Sequence, residues 1–120
     1  MKTAKLRAVI KTVEVDMSWV LGEEGVGFEV DVLANPPHAM FQRLQDSPYD
    51  PEAQEDFVRQ MVRRIDGLDG LDGQPITSLE GMDDAERIDP VMRRTIVTAI
   101  AQAIQVAMEA MTTGPKLSVR

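Results

Sequence analysis

The side chains in this sequence that could carry chemistry are one histidine, a run of aspartates and several adjacent carboxylates. His38 follows Pro36-Pro37 at a predicted helix start. The sequence has no second histidine, so a histidine-based metal site would need carboxylates to complete it. A lone histidine at such a position is typical of a surface residue rather than of a catalytic base.

The aspartates Asp66, Asp69 and Asp72 recur at every third position within the Asp-Gly-Leu run, residues 66–73. Calcium takes six to eight oxygen ligands, and an EF-hand loop spaces its first acidic ligands two residues apart and closes with a glutamate. The spacing here is three, and no glutamate stands at the closing position. Because Asp and Gly favour tight turns, we predict a turn-rich connector, with a calcium site as the alternative.

The adjacent carboxylates Glu23-Glu24 and Asp83-Asp84 are typical of solvated faces, since catalytic pairs need burial that separates their pKa values. The sequence contains no Cys, which excludes disulfides, thiolate zinc sites and Cys nucleophiles. It also lacks a nucleophile elbow, a phosphate-binding glycine loop and a dinucleotide fingerprint. We therefore predict no catalytic residue, no metal ligand and no cofactor, and we expect that the protein is not an enzyme.

The charge is unevenly distributed along the chain. The formal net charge is −7, and residues 46–89 alone hold 13 acidic and 4 basic residues. Nucleic-acid binding needs clustered Lys and Arg, so nucleic acid is not an expected partner. No stretch reaches the roughly 18 apolar residues of a membrane span, and the first residues lack the apolar run of a signal peptide. A cytoplasmic location without membrane contact is therefore predicted.

The elements that would position these side chains begin with two predicted strands. Apolar residues alternate with polar ones from Val9 to Trp19 and again from Val26 to Val32, which is the period of a half-buried strand. The glycine-rich stretch of residues 21–25 separates them. This arrangement predicts a β-hairpin whose apolar face needs to be covered.

Helices are predicted for most of the rest. The pairs Asn35-Pro36, Asp50-Pro51 and Asp89-Pro90 each place a capping side chain before a proline that suits the first helical position. We predict helices over residues 36–45, 51–65, 78–88 and 90–111. Gly67 is expected to end the second helix, and Gly114-Pro115 the last one.

The sequence thus predicts an α+β fold in one domain, residues 1–120. An N-terminal β-hairpin part (1–34) precedes a small bundle of three to four helices (35–113) and a C-terminal tail (114–120), which could be a strand or an extended arm. The last helix carries a wide apolar stripe that is typical of a core helix. The eight Met residues and the width of the stripe leave part of it for a partner or a second copy. The residues predicted to contact a partner are Ile96, Ile100, Ile104, Met108, Met111 and Leu117.

The order of these parts resembles a known family. A strand-to-helix step at Val32-Leu33-Ala34-Asn35-Pro36 follows the hairpin, and a charged helix ends in Val62-Arg63-Arg64-Ile65. Then come the connector Asp69-Gly70-Leu71-Asp72-Gly73-Gln74-Pro75-Ile76, the helix start Ser78-Leu79-Glu80 and the long apolar helix. Over residues 26–110 this layout resembles the tail assembly chaperones of long-tailed bacteriophages.

The resemblance implies a protein partner and a cellular location. Such chaperones bind the long helical tape-measure protein, keep it soluble in the host cytoplasm and help to recruit tail tube proteins. An alternative is a structural component of a phage tail or baseplate that is retained in the virion, since a hairpin can add strands to a neighbour. A small enzyme or metal-binding module is the third interpretation, and only the aspartate run and His38 favour it.

Overall fold

The computed structural model describes Thr3, residues 10–34 and residues 38–118, and for Met40 and residues 110–118 it describes the backbone alone. In chain order, the elements are β1 (Ile10–Asp16), α1 (Ser18–Leu21), β2 (Gly27–Leu33), α2 (His38–Asp46), α3 (Pro51–Met61), β3 (Val62–Asp66), a 3-10 turn (Glu80–Met82) and α4 (Pro90–Ser118). The predicted α+β class and the strand-first order are confirmed.

The three strands form an antiparallel sheet in the order β1-β2-β3. The predicted hairpin is present, with Val13 opposite Val30 and Val15 opposite Phe28. Alternation along each strand sends these apolar side chains to one face, which the helices cover. The buried residues of this inner face are Val13, Val15, Phe28, Val30, Val32 and Ile65.

The outer face of the sheet is acidic. Glu14 of β1 lies opposite Glu29 of β2, and Glu29 lies opposite Asp66 of β3, so one row of three carboxylates crosses the sheet. Like charges directly opposite one another destabilise a sheet. Asp31 is the exception on this face, because it lies opposite Arg64. The row therefore lowers stability unless salt or a cation screens it.

Residues 62–66 form a strand, and the prediction of helix as far as Ile65 is wrong. The helix ends at Met61, and Val62 and Ile65 pair with Val32 and Val30 on the free edge of β2. The same apolar spacing suits a helix stripe, but β-branched residues also favour strands. Pairing with β2 satisfies backbone groups that an edge strand would leave exposed. Gly67, with a φ of 90°, ends this strand and not a helix.

The first strand is shorter than predicted. Residue 9 lies outside the described residues, and β1 ends at Asp16 instead of continuing through Trp19. The Asp16 carboxylate accepts a hydrogen bond from the Ser18 N–H at 2.9 Å. This local bond starts the single turn of α1, in which Trp19 lies exposed.

The helices cover the inner face of the sheet, with α4 contacting both β1 and α3, and α3 contacting α2. Phe57 of α3 is buried, and its ring lies 6.2 Å from that of Phe41 of α2. Two predicted caps are confirmed. Asp50 accepts from the Glu52 N–H at 3.3 Å, and Asp89 accepts from the Met92 N–H at 2.9 Å. The predicted cap at residue 35 lies outside the described residues.

An ion-pair network connects α3, the 3-10 turn and α4. Arg93 bonds both carboxylate oxygens of Glu55, at 2.6 and 3.0 Å, and one oxygen of Asp83 at 2.9 Å. Arg59 pairs with the same two acids, each at 3.0 Å. The bonds to Glu55 raise the pKa of Arg93 above its usual value, and those to Asp83 add to this. The network fixes the turn against both helices.

Two further helix predictions need correction. Only Glu80–Met82 is helical within residues 78–88, because the Asp84 carboxylate bonds the Glu86 N–H at 2.9 Å in a local turn that competes with helix. Helix α4 continues to Ser118, so Gly114-Pro115 does not end it and residues 114–118 are not an extended arm. A proline removes one backbone bond, and near the end of a helix little depends on that bond. Within the described ranges, no helix is both long and apolar enough to cross a membrane.

Candidate functional site

One wall of an apolar cleft is built by the turn that joins the first two strands. The bond from the Ser18 N–H that starts α1 also lowers the pKa of Asp16. Gly22, with a φ of 74°, donates its N–H to the Ser18 carbonyl at 2.8 Å and ends the helix after one turn. Leu21 is thereby held at the end of the turn, where it is 52% exposed.

The connector, residues 67–79, builds the second wall. The Ile76 N–H donates to the Leu68 carbonyl at 2.7 Å, and the Gly70 N–H donates to the Gln74 carbonyl at 2.9 Å. These bonds fold the connector back on itself as a narrow loop. Leu71 lies at the tip of the loop and is 76% exposed.

Arg87 fixes this loop to the chain that leads into α4. Its Nε lies 3.0 Å from a carboxylate oxygen of Asp72, and its Nη2 donates to the carbonyls of Gln74 and Pro75 at 3.0 Å each. The Arg87 carbonyl in turn accepts from the Leu71 N–H at 2.6 Å. The Gln74 N–H and, after it, Arg87 hold the pKa of Asp72 below its ordinary value. The loop is therefore held by polar bonds, and its leucine is left free for other contacts.

The start of α4 closes the cleft. Asp89 caps the helix, and this places Met92 and Ile96, one turn apart, on the side that faces the connector. Ile88 precedes the cap and is buried. The three walls enclose a cleft of about 340 Å³, lined by Met17, Leu21, Val26, Gly27, Phe28, Gly67, Leu68, Asp69, Leu71, Arg87, Ile88, Asp89, Met92 and Ile96.

The three isoleucines predicted to contact a partner are core residues. Ile100 and Ile104 of α4 are fully buried in the hydrophobic core, and Ile96 is 3% exposed. They cannot contact a partner while the domain is folded, and of the three only Ile96 borders the apolar cleft. For Ile100 and Ile104, the structure thus corrects the prediction of a partner surface, because the core that α4 shares with β1 and α3 encloses them.

The other three predicted contacts lie farther along α4. Met108 is half-buried and packs against the core. The positions of Met111 and Leu117 belong to α4, but their side chains lie outside the described part of the chain.

The sequence did not predict the rim of the cleft, which the exposed leucines Leu21 and Leu71 form. Leu68 and Leu71 are the leucines of the Asp-Gly-Leu run, which the sequence presented only as a turn-rich connector. Asp and Gly favour tight turns and leucine does not, so the repeated leucines of this run were a signal for apolar contacts outside the turn. The position of Leu71 beside Leu21 depends on the third strand, which the sequence did not predict.

The residues considered for catalysis are dispersed and exposed. His38 is exposed in the first turn of α2. Asp83 pairs with arginines in the ion-pair network, and Asp84 bonds a backbone N–H. Among the residues that the structure describes, no three carboxylate or imidazole groups lie close enough together to hold a metal ion.

A second, wider concavity of about 600 Å³ lies beside the hairpin turn. Its walls carry the carboxylates of Glu14, Asp16, Glu24 and Glu29. Glu14, Asp16 and Glu29 belong to the acidic outer face and Glu24 to the hairpin turn, and all four residues are exposed to water. A solvated face of one charge sign is the simplest account of this concavity.

Comparisons of the chain with protein-family models, with curated proteins and with solved structures find no match.

Proposed function

We propose that this protein is a non-catalytic binding domain that holds an apolar segment of another protein in the apolar cleft. The observation that carries the proposal is the exposed apolar rim. Leu21 and Leu71 both border the cleft, yet they are 52% and 76% exposed. Exposed apolar side chains that border an apolar cleft form the kind of surface that binds apolar partners.

We further propose that the domain acts as a phage tail assembly chaperone in the host cytoplasm, with the tape-measure protein as its partner. The layout of the sequence supports this assignment. The apolar cleft fits the task, because a long apolar helical protein must be shielded before the tail tube polymerises around it. The acidic charge of the domain would keep the resulting complex in solution.

Co-expression with a tape-measure candidate, which the proposal expects to be a very long helical protein encoded by a neighbouring gene, tests the proposal. The wild-type domain should raise the soluble fraction of that protein, and Leu71→Lys should abolish the effect. Val106→Lys is the matched control, since Val106 is also exposed, at 66%, and does not border the cleft. The proposal fails if the soluble fraction is the same with and without the wild-type domain.

A structural role in the finished particle is the second candidate. Among the described strands, β1 lies at one edge of the sheet, and an edge strand can accept a strand from a neighbouring subunit. Mass spectrometry of purified particles separates the two candidates. Stoichiometric amounts of this protein in the particle would favour the structural role and exclude a chaperone that leaves before completion.

A further inference from the structure

We infer that the segment bound in the apolar cleft carries a bulky apolar anchor side chain with a lysine or arginine beside it. This inference rests on the proposed function and adds the chemistry of the partner. The floor of the cleft is apolar, formed in part by Phe28, Met92 and Ile96. The ionisable groups of its lining are Asp69, Arg87 and Asp89, and they decide which charge the partner brings.

The size of the cleft and its rim favour a macromolecular partner. A volume of about 340 Å³ lies at the lower end of the range of roughly 300–1,000 Å³ for small-molecule sites. A small ligand inside it would leave the tip of Leu71 in water. A protein segment that inserts one side chain into the cleft also covers the rim, and so removes both exposed leucines from water.

The charges at the mouth of the cleft favour a cationic flank. Arg87 is already engaged by the Asp72 carboxylate and by two carbonyls, so it has little capacity left for a partner. Asp89 accepts the capping bond of α4. The Asp69 carboxylate makes no ion pair or side-chain hydrogen bond with any described residue, and it lies in the lining between Leu68 and Leu71. A cation beside the anchor would meet this carboxylate directly.

The same charges disfavour a second copy of this chain. In a two-fold contact the same patch meets itself, so Asp69 and Asp89 of one copy would approach those of the other. Residues 66–89 as a whole hold eight acidic residues and one basic residue. Like charges brought together at an interface oppose association. A basic segment of a different protein meets no such repulsion.

The test uses two synthetic helical peptides with the same leucine stripe, one with lysines and the other with glutamates on the remaining positions. Calorimetry should show the lysine peptide binding the wild-type domain at least about tenfold more tightly than the glutamate peptide at low salt. Leu71→Lys should weaken the lysine peptide about tenfold, and Val106→Lys should change its affinity less than about twofold.

Charge reversal at the mouth of the cleft tests the inferred cation. Asp69→Lys should reduce the preference for the lysine peptide by about three- to fivefold. Asp46→Lys makes the same charge change on α2, outside the lining, and should leave the preference within about twofold. Equal effects of the two charge reversals would mean that net charge alone selects the lysine peptide, and would overturn the inference.

The remaining outcomes separate this inference from the proposed function. If both peptides bind equally and Leu71→Lys removes both, the cleft binds proteins but the cationic flank is wrong. If Leu71→Lys changes neither peptide, or neither binds saturably, the inference fails at its site, and co-expression then decides the proposed function separately. Light scattering that shows a dimer which Leu71→Lys dissociates would identify a second copy as the occupant and overturn the inference.

Discussion

Arg87 holds the connector with four polar contacts, where most of the chain relies on apolar packing. It bonds one side chain and two carbonyls with its guanidinium, and its own carbonyl accepts from the tip of the loop. Arginine suits this role, because its planar group presents several donors in fixed directions. A single side chain therefore sets where Leu71, the most exposed part of the cleft rim, is presented.

The pKa of the Asp72 carboxyl provides a test of its contact with Arg87. We expect Arg87→Gln to raise the pKa of Asp72 toward its ordinary value of 3.8, without reaching it, because the Gln74 N–H continues to bond the charged form. The pKa is lower in the folded state. The folding free energy contributed by the bonds to the charged Asp72 carboxylate is therefore fully present above pH about 4, and it is lost as pH falls through the folded-state pKa. A carboxyl-detected NMR titration measures the pKa of Asp72, and Arg94→Gln is the control that should leave this pKa unchanged. An Asp72 pKa unchanged by Arg87→Gln would contradict the contact.

At the scale of elements, α4 is the helix that packs against both the sheet and α3. One side of it is buried against β1 and α3, while Val91 and Val106 lie exposed on other sides. Most of the stability of a helix in a protein comes from such packing and not from propensity. The apolar stripe that the sequence presented as core or partner surface is core over Ile96, Ile100 and Ile104.

Ile100→Asp should therefore strongly destabilise the domain. The side chain is fully buried, so an aspartate there would be an unpaired buried charge costing roughly 4 kcal/mol or more, against a typical total of about 5–15 kcal/mol. Val106→Asp on the same helix is the matched control, and it should change the unfolding free energy by about 0.5 kcal/mol or less. Urea denaturation followed by circular dichroism compares the two variants. If Ile100→Asp keeps the wild-type midpoint, the stripe is not core.

The elements that local chemistry defines were predicted well from the sequence. The two caps at Asp50 and Asp89, the hairpin and the inner face of the sheet follow from short-range patterns. Strand β3 does not, because Val62 and Ile65 also fit a helix, and only the distant edge of β2 decides between the two. The cleft rim was missed for the same reason, since Leu21 and Leu71 are 50 residues apart in the chain and border the same cleft only in the three-dimensional fold.

At the scale of the whole molecule, the Glu55–Arg59–Asp83–Arg93 network adds polar bonds between α3, the 3-10 turn and α4, which also share the apolar core. The side chains of Arg93 and Glu55 are only 20% and 26% exposed, so their bonds are less screened than those of a surface pair. The network also holds the 3-10 turn next to the chain that carries Arg87 and the α4 cap. The network therefore anchors the chain on both sides of Arg87 and Asp89, two residues that line the cleft.

Arg93→Lys should lower the unfolding free energy by about 1–3 kcal/mol, because a lysine keeps the charge but cannot bond both oxygens of Glu55 and the Asp83 carboxylate together. The adjacent Arg94 is exposed, and Arg94→Lys should change the unfolding free energy by about 0.5 kcal/mol or less. Thermal unfolding by calorimetry gives both values. A loss that is equal in the two variants would show that the network contributes nothing specific.

The position of β3 has a consequence for how the chain can be divided. Its five residues follow α3 in the chain, yet they lie beside β2 in the sheet. A cut after residue 34 would separate the hairpin from the strand that completes its sheet and from the helix that covers it. The division at residue 34 therefore does not separate two independent modules, because β3 from the helical part completes the sheet of the strand part.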